Sequence, residues 1–133
     1  MSTSQNPRLP KLLIVEDDTL IANCLARGLR GDVDLTIVNR GTDAMHVLDG
    51  DPGFDAILSD LNMPDITGVE MRRRIRQVDP AMADRIAFMT GGAMDKDGSD
   101  LLGEEPERCL SKPFTIQQLR AFLRTQGLDL APR

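Results

Sequence analysis

Acidic, hydroxyl and lysine side chains stand directly after short apolar runs of this 133-residue chain. In chain order they are Glu16, Asp17 and Asp18, then Asp60, Thr90 and Lys112. Carboxylates that meet in one pocket repel one another unless a cation neutralises them, and oxygen ligands of this kind suit Mg²⁺ or Mn²⁺. A carboxylate can also attack a phosphoryl group while a metal ion and a lysine neutralise the phosphoryl oxygens. These residue types therefore predict phosphoryl transfer to a carboxylate, provided that the fold brings them together.

The apolar runs that precede these residues predict the strands of a parallel sheet. They cover residues 12–15, 35–38, 56–59, 86–89 and 108–111. All but the last are mostly apolar without alternation, which is typical of strands covered on both faces. Helical patterns separate them, so we expect a doubly wound α/β fold with a five-stranded parallel sheet. In such a sheet the loops at the carboxyl ends of the strands meet in one crevice, where ligands bind.

The segments between the predicted strands carry helix signals. Asp18 is placed to cap a first helix, and a second, short helix begins at Thr42. Thr67–Glu70 and Thr115–Gln118 fit capping boxes ahead of two further helices. Four glycines and Pro106 fall between residues 91 and 107, so we expect a short or mobile helix there. The stripe expected to be buried on the first helix consists of Leu20, Ile21, Cys24, Leu25 and Leu29.

The charge balance argues against direct nucleic-acid binding. The chain has 16 Lys and Arg against 21 Asp and Glu, and its formal net charge of −5 has the wrong sign for attracting a phosphate backbone. A run of four arginines between residues 72 and 76 is expected to form a solvated helix face. The sequence shows neither a signal peptide nor a long apolar stretch, so it predicts a cytoplasmic protein without a membrane partner.

The length of the chain predicts a single domain. We expect a flexible segment over residues 1–10, the folded domain over 11–126 and a C-terminal tail over 127–133. Cys24 and Cys109 lack metal-ligand spacing and are interpreted as reduced thiols in or near the core. His46 has no acid–base partner close in sequence and is given no catalytic role.

Four motifs in order, LLIVEDD, LSDLNMPDITG, FMTGG and LSKPF, resemble those of receiver domains of bacterial two-component response regulators. The resemblance runs from Lys11 to about Thr125 and includes the spacing from Asp60 to Thr90 to Lys112. It implies a flavodoxin-like (βα)5 fold and a role in signal transduction. A sensor histidine kinase or a histidine phosphotransfer protein would phosphorylate the domain, which would signal by protein–protein contacts to a downstream partner that the sequence does not name.

The resemblance also implies a role for each residue of the crevice. Asp60 would be the phosphoacceptor, and Thr90 and Lys112 would bind the phosphoryl group. The Lys112–Pro113 peptide bond would be cis. Asp18 would remain a helix cap. The Mg²⁺ or Mn²⁺ ligands would be Glu16 through water, Asp17, Asp60 and the backbone carbonyl of Asn62.

Two features depart from the receiver pattern. Receivers usually carry a Tyr or Phe three residues before the lysine, whose ring moves when the threonine shifts, and here that position is Cys109. The glycine-rich segment after Thr90 also differs from the usual amphipathic fourth helix. We hypothesise that signalling reshapes or orders Gly91–Glu107 in place of a ring movement. This segment and the motif ERCLSKPF look most like receivers attached to hybrid sensor histidine kinases.

Two other functions remain open at this point. Phosphatases of the haloacid dehalogenase class also combine a strand-end Asp, a Ser or Thr, a Lys and Mg²⁺. They need a second acid two residues after the nucleophile, where this chain has Asn62, so we do not expect an enzyme acting on external substrates. A receiver-like interaction module that works without phosphorylation is the other alternative. The complete set of acceptor residues argues against it, whereas Cys109 and the irregular segment argue for it.

Overall fold

The structure of the protein is a computed structural model that describes residues 8–131. The strands are β1 (Lys11–Val15), β2 (Asp34–Val38), β3 (Ala56–Asp60), β4 (Ile86–Thr90) and β5 (Cys109–Ser111). The helices are α1 (Thr19–Gly28), α2 (Gly41–Gly50), α3 (Gly68–Val78), α4 (Pro80–Ala83), α5 (Lys96–Glu104) and α6 (Ile116–Thr125), and a 3₁₀ turn covers Pro106–Arg108. All five strands are parallel, in the order β2-β1-β3-β4-β5. The predicted doubly wound sheet is confirmed.

Apolar side chains are buried on both faces of this sheet. On β1, Leu13 and Val15 belong to a core cluster with residues of α2, α3 and α5, whereas Leu12 and Ile14 belong to a second cluster with α1 and α6. Successive strand residues point to opposite faces, so strands that are covered on both sides need no polar alternation. This explains the apolar runs in the sequence.

The buried stripe predicted for α1 is only partly right. Leu25 and Leu29 are buried, but Leu20 is 76% exposed and Cys24 is exposed as well. Cys24 is therefore not a core thiol, and Cys109 is half-buried. The apolar stripe is wider than the side of α1 that meets the sheet, so its edge faces outward. His46 is exposed on α2, as expected for a residue without a catalytic role.

The helix starts follow the predicted caps with one exception. Thr67 and Thr115 accept hydrogen bonds from the backbone amides of Glu70 and Gln118. The capping box at Thr115 is complete, but at Thr67 the return hydrogen bond is missing because the Glu70 carboxylate contacts Arg73 and Arg74. Helix α2 begins at Gly41, one residue before the predicted start, and Arg40 gives it no side-chain cap. The short helix α4 was not predicted.

The structure shows how two irregular parts of the chain fold. The segment expected to hold a short or mobile helix contains the nine-residue α5, whose N-cap Asp95 accepts a hydrogen bond from the Gly98 amide. Residues 127–131 do not hang free as a tail, because Leu128 and Leu130 are buried in the core cluster under α1 and α6. Of the predicted N-terminal segment, residues 1–7 lie outside the described residues.

Candidate functional site

The candidate site lies at the carboxyl ends of the central strands. The register pairs Val15 with Ser59, Asp60 with Met89, and Thr90 with Ser111, so these strands end at nearly the same level. The residue after each end is then close to its neighbours across the sheet. The structure thereby brings together the acidic, hydroxyl and lysine residues that the sequence analysis singled out.

Lys112 joins two of the predicted acids. Its Nζ lies 2.7 Å from Glu16 Oε1 and 3.2 Å from Asp60 Oδ2. Burial alone would lower the pKa of Lys112, but the hydrogen bond to Glu16 and the negative charge of Asp60 outweigh it and raise that pKa. Lys112 is therefore a fixed positive charge directly beside the Asp60 carboxylate.

Glu16 is the most enclosed acid of the site, with 1% of its surface exposed. Burial raises the pKa of Glu16, although the hydrogen bonds from Lys112 and from the Asp18 amide oppose that rise. Its second oxygen, Oε2, accepts the Asp18 amide at 3.2 Å. Both Glu16 oxygens are thus held in place, so Glu16 serves to position Lys112.

Glu16, Asp17 and Asp60 form an acidic cluster. Each offers a carboxylate oxygen, and these oxygens lie within 4.8 Å of one another. Lys112 contacts only two of the three, and Asp17 is exposed. Negative charge therefore exceeds positive charge at an opening to solvent, and the donors are oxygen atoms. This chemistry fits a hard divalent cation such as Mg²⁺.

Asp18, the third acid of the motif, has a different role. Its Oδ1 accepts the amides of Leu20 at 2.9 Å and Ile21 at 3.2 Å at the start of α1. The expected helix cap is confirmed. A carboxylate engaged in this way also complements the positive end of the α1 dipole.

Asn62 contacts Asp60, and Thr90 ends the neighbouring strand β4. The backbone amide of Asn62 donates to Asp60 Oδ1 at 3.3 Å, and the side-chain amide of Asn62 donates to the Ala93 carbonyl oxygen at 2.9 Å. Thr90 is buried at the end of β4, and its carbonyl oxygen accepts the Lys112 amide at 2.6 Å. The Lys112–Pro113 bond is cis.

Two glycines allow close approaches to the backbone of Asp60 and to Lys112. A Cβ on Gly68 would lie 2.7 Å from the Asp60 carbonyl oxygen, and a Cβ on Gly91 would lie 3.0 Å from Lys112 Cβ. The first distance is shorter than a real Cβ contact allows. Only glycine therefore lets the start of α3 pack against the end of β3.

Sequence reasoning missed one residue of this region, Asp65. Its carboxylate accepts the amides of Gly41 at 3.1 Å and Thr42 at 2.8 Å, and so caps α2 from the loop that follows Asp60. Burial would raise the pKa of Asp65, but the hydrogen bonds from Thr42, Gly41 and Ile66 lower it strongly. The signal that could have revealed it is the lack of a capping side chain at Arg40.

An apolar groove of about 600 Å³ adjoins the site. It begins at Lys112 and the Gly91–Gly92 loop and runs between α1 and the start of α6. The exposed edge of α1 forms one wall. Its apolar lining consists of Leu20, Ile21, Cys24, Leu25, Pro113, Phe114 and Ile116.

The arginine run lies on α3 and is paired with acids. Arg73 and Arg74 contact Glu70, and Arg76 contacts Asp84. These three arginines are exposed, as expected for a solvated face, whereas Arg72 is half-buried. No helix among residues 8–131 has the length and apolar character needed to cross a membrane.

Comparison with known proteins identifies the family. The sequence model of the family named response regulator receiver domain matches residues 12–124 of this chain. The response regulator receiver protein CpdR of Brucella abortus is 30% identical over 112 residues, which cover 84% of this chain and 91% of CpdR. The sensor histidine kinase RcsC of Salmonella typhi is 31% identical over 113 residues, which cover 84% of this chain and 12% of RcsC. The chain thus resembles nearly all of one relative and a small part of the other.

Solved structures agree with this result. The signal receiver domain of an HD domain-containing protein from Pseudomonas fluorescens has a TM-score of 0.77 at 25% identity, covering 95% of this chain and 92% of that one. A receiver domain protein from Clostridium thermocellum has a TM-score of 0.74 at 23% identity, covering 89% and 94%, which supports the fold. Family match, relatives and fold together show that the chain belongs to the receiver domains of two-component response regulators.

Proposed function

We propose that this receiver domain is a Mg²⁺-dependent phosphoacceptor switch in which Asp60 is the residue phosphorylated. The observation that carries the proposal is Lys112, whose Nζ contacts Asp60 Oδ2 at 3.2 Å while Glu16 holds it from the other side. A lysine positioned beside one carboxylate by a second, buried carboxylate is suited to neutralise a phosphoryl group on the first.

The chemistry follows from the residues around Asp60. A carboxylate oxygen of Asp60 attacks phosphorus, a P–O bond forms, and the bond between phosphorus and the donor's leaving atom breaks. Lys112 neutralises charge on the phosphoryl oxygens, and the Thr90 hydroxyl donates a hydrogen bond to one of them. Glu16, Asp17, Asp60 and the Asn62 carbonyl would hold Mg²⁺, which supplies further neutralisation of those oxygens.

Intact mass tests the proposal directly. We expect the protein to gain one phosphoryl group when incubated with Mg²⁺ and acetyl phosphate, and to gain none without the metal or in Asp60→Ala. Asp18→Asn is the matched control, because it removes a neighbouring carboxylate while keeping a good N-cap. Phosphorylation of Asp60→Ala to the same extent would contradict the assignment of the acceptor.

The phosphatase alternative is disfavoured by the same geometry. The position that would need an acid holds Asn62, whose side-chain amide already donates to Ala93. We therefore infer a signalling module that assists its own phosphorylation and dephosphorylation. Repeated release of phosphate from p-nitrophenyl phosphate would contradict this inference.

We infer that the phosphodonor, a sensor histidine kinase or a phosphotransfer protein, contacts the groove beside α1. A donor must bring its phosphohistidine to Asp60, and the groove begins at Lys112, which contacts that residue. Leu20→Asp should slow phosphorylation by a donor protein while leaving phosphorylation by acetyl phosphate unchanged. Val78→Asp is the control, because Val78 is 85% exposed but lies on α3, away from the groove.

Nucleic acid is not among the partners that we propose. The net charge of −5 repels phosphate backbones, and the exposed arginines of α3 are paired with acids. Signalling would instead proceed through contacts with a downstream protein.

A further inference from the structure

The start of β5 raises the question of how this receiver couples its acceptor to the rest of the surface. Cys109 occupies the position where related domains usually carry an aromatic ring. Its thiol is half-buried and donates to the Glu105 carbonyl oxygen at 3.6 Å, and its register partner on β4 is Phe88. A thiol is too small to move as a ring does, so another contact must couple the site to this face.

Arg72 and Glu105 make a two-pronged contact beside Cys109. The two guanidinium nitrogens of Arg72 lie 3.1 Å and 2.7 Å from the two Glu105 carboxylate oxygens. The same guanidinium lies over the Phe88 ring, 5.2 Å from its centroid. The Arg72 side chain is 16% exposed, so this pair is better shielded from water than the other arginine pairs of α3.

Helix α3 connects this contact to Asp60. Gly68, its first residue, packs against the Asp60 carbonyl oxygen and the Phe88 ring, and its amide donates to the Leu61 carbonyl oxygen at 2.8 Å. Arg72 lies four residues later, on the same face of the helix. A shift of the Asp60 end of β3 is therefore transmitted through one rigid helical turn to Arg72.

Glu105 lies at the junction between α5 and the 3₁₀ turn. It caps the end of α5 and precedes the 3₁₀ turn that leads into β5. Its carbonyl oxygen accepts both the Arg108 amide and the Cys109 thiol. If the carboxylate of Glu105 loses Arg72, the end of α5 and the turn after it lose this charged contact with α3.

We propose that the Arg72–Glu105 pair couples Asp60 to the surface formed by α5, the 3₁₀ turn and β5. This inference rests on the proposed function of Asp60. Both hydrogen bonds of the pair are formed in the structure, so a displacement of Arg72 that follows phosphorylation of Asp60 would loosen it. The pair then takes the place of the aromatic ring absent at Cys109 and gives the hypothesis of a reshaped Gly91–Glu107 segment a specific contact.

Amide hydrogen exchange measured by mass spectrometry tests the proposal. Peptides covering residues 98–109 of the wild-type protein should exchange at least about fivefold faster after phosphorylation with Mg²⁺ and acetyl phosphate. In Arg72→Gln the same peptides should exchange fast in both states, so the difference between the states is lost. A purely structural role of Arg72 would instead accelerate exchange and preserve that difference.

Two further variants and one second readout complete the design. Glu105→Gln removes the same pair from the other side and should reproduce Arg72→Gln, which covers the case that one variant fails to fold. Arg73→Gln is the matched control, because Arg73 links α3 to Asp97 of α5 by an exposed contact of 3.5 Å; it should keep the wild-type difference. Intact mass of every sample reports whether Asp60 carries the phosphoryl group.

The outcomes separate this inference from the proposed function. If the wild-type protein gains a phosphoryl group but residues 98–109 exchange unchanged, or if Arg72→Gln retains the wild-type difference, the coupling role is wrong and Asp60 remains the acceptor. If the wild-type protein gains no phosphoryl group, the proposed function fails and the inference fails with it.

Discussion

Ionic side chains gather at both ends of the parallel sheet, and the two groups differ in how their charges are balanced. At the carboxyl end, three carboxylates cluster beside Lys112, which contacts two of them, and the third, Asp17, is exposed. At the opposite end, Arg120 of α6 pairs with Asp32, which precedes β2, and both residues are buried. Arg120 also donates to the carbonyl oxygen of Ala131.

This comparison shows how the same residue types serve two purposes. The Arg120–Asp32 pair brings opposite charges together away from water, and Arg120 ties α6 to the chain's last described residues. The Lys112 cluster leaves negative charge uncompensated and open to solvent, which costs stability but creates a place for a cation and a phosphoryl group. We expect the Arg120–Asp32 pair to determine stability and the Lys112 cluster to determine function.

The largest effect should come from the buried pair. Arg120→Met removes the buried guanidinium that contacts the buried Asp32 carboxylate, so we expect the free energy of unfolding to fall by about 3–5 kcal/mol. Urea denaturation followed by circular dichroism measures this change. Below the unfolding transition, Asp60 should still gain its phosphoryl group; a stable but unphosphorylated variant would contradict the comparison.

Metal binding at the carboxylate cluster of Glu16, Asp17 and Asp60 should stabilise the folded protein. Mg²⁺ at about 100 times its dissociation constant should raise the free energy of unfolding by about 2.7 kcal/mol, because it binds the folded state alone. The same titration of Asp17→Asn should show little or no rise. Equal stabilisation of the wild type and Asp17→Asn would place the cation elsewhere.

Without metal, repulsion between the carboxylates of the acidic cluster should lower the free energy of unfolding. Asp17→Asn removes one of three carboxylates whose oxygens lie within 4.8 Å of one another. We expect the metal-free variant to be more stable than the wild type by about 0.5–1 kcal/mol, while phosphorylation is lost. Denaturation in the presence of EDTA measures the gain, and a loss of stability instead would show that Asp17 is held by favourable contacts.

The smallest effect on stability should come from the partly exposed Arg72–Glu105 pair. The hydrogen bonds from Arg72 lower the pKa of Glu105 below its ordinary value of 4.5. A lowered pKa in the folded state means that the contribution to stability is complete above pH 4.5 and is lost as the pH falls through the folded-state pKa. The stability difference between the wild type and Glu105→Gln should therefore be constant near neutral pH and shrink in acid, as urea melts across this range would show.

Much of the candidate site could be predicted because its residues sit at strand ends. The apolar runs locate the strands, and parallel strands necessarily place their carboxyl ends together. Asp60, Thr90 and Lys112 were singled out in this way, and their proximity in the fold follows from the register. The cap at Asp18 was equally predictable, since its hydrogen bonds join residues two and three positions apart.

Other features were not predictable from local patterns. The apolar periodicity of α1 does not reveal how wide the covered side of the helix is, so Cys24 was wrongly assigned to the core. Leu128 and Leu130 belong to a short segment without periodicity, and only the fold shows that they are buried. The glycines between residues 91 and 107 left open whether the helix there is short or mobile, and only the fold shows a nine-residue α5 in which Gly98 and Leu101 are buried.

The sequence by itself determined the order along the chain of the strands and of every helix except α4, the caps of α1, α3 and α6, and the set of residues at the carboxyl edge of the sheet. These depend on side-chain periodicity and on contacts between residues close in the chain. The tertiary structure alone decided the partners of the charged groups: Glu16 for Lys112, Glu105 for Arg72, Asp65 for α2, and Asp32 for Arg120. The physical reason is that these pairs join residues 23 to 96 positions apart, whose distance and burial depend on how the whole chain packs.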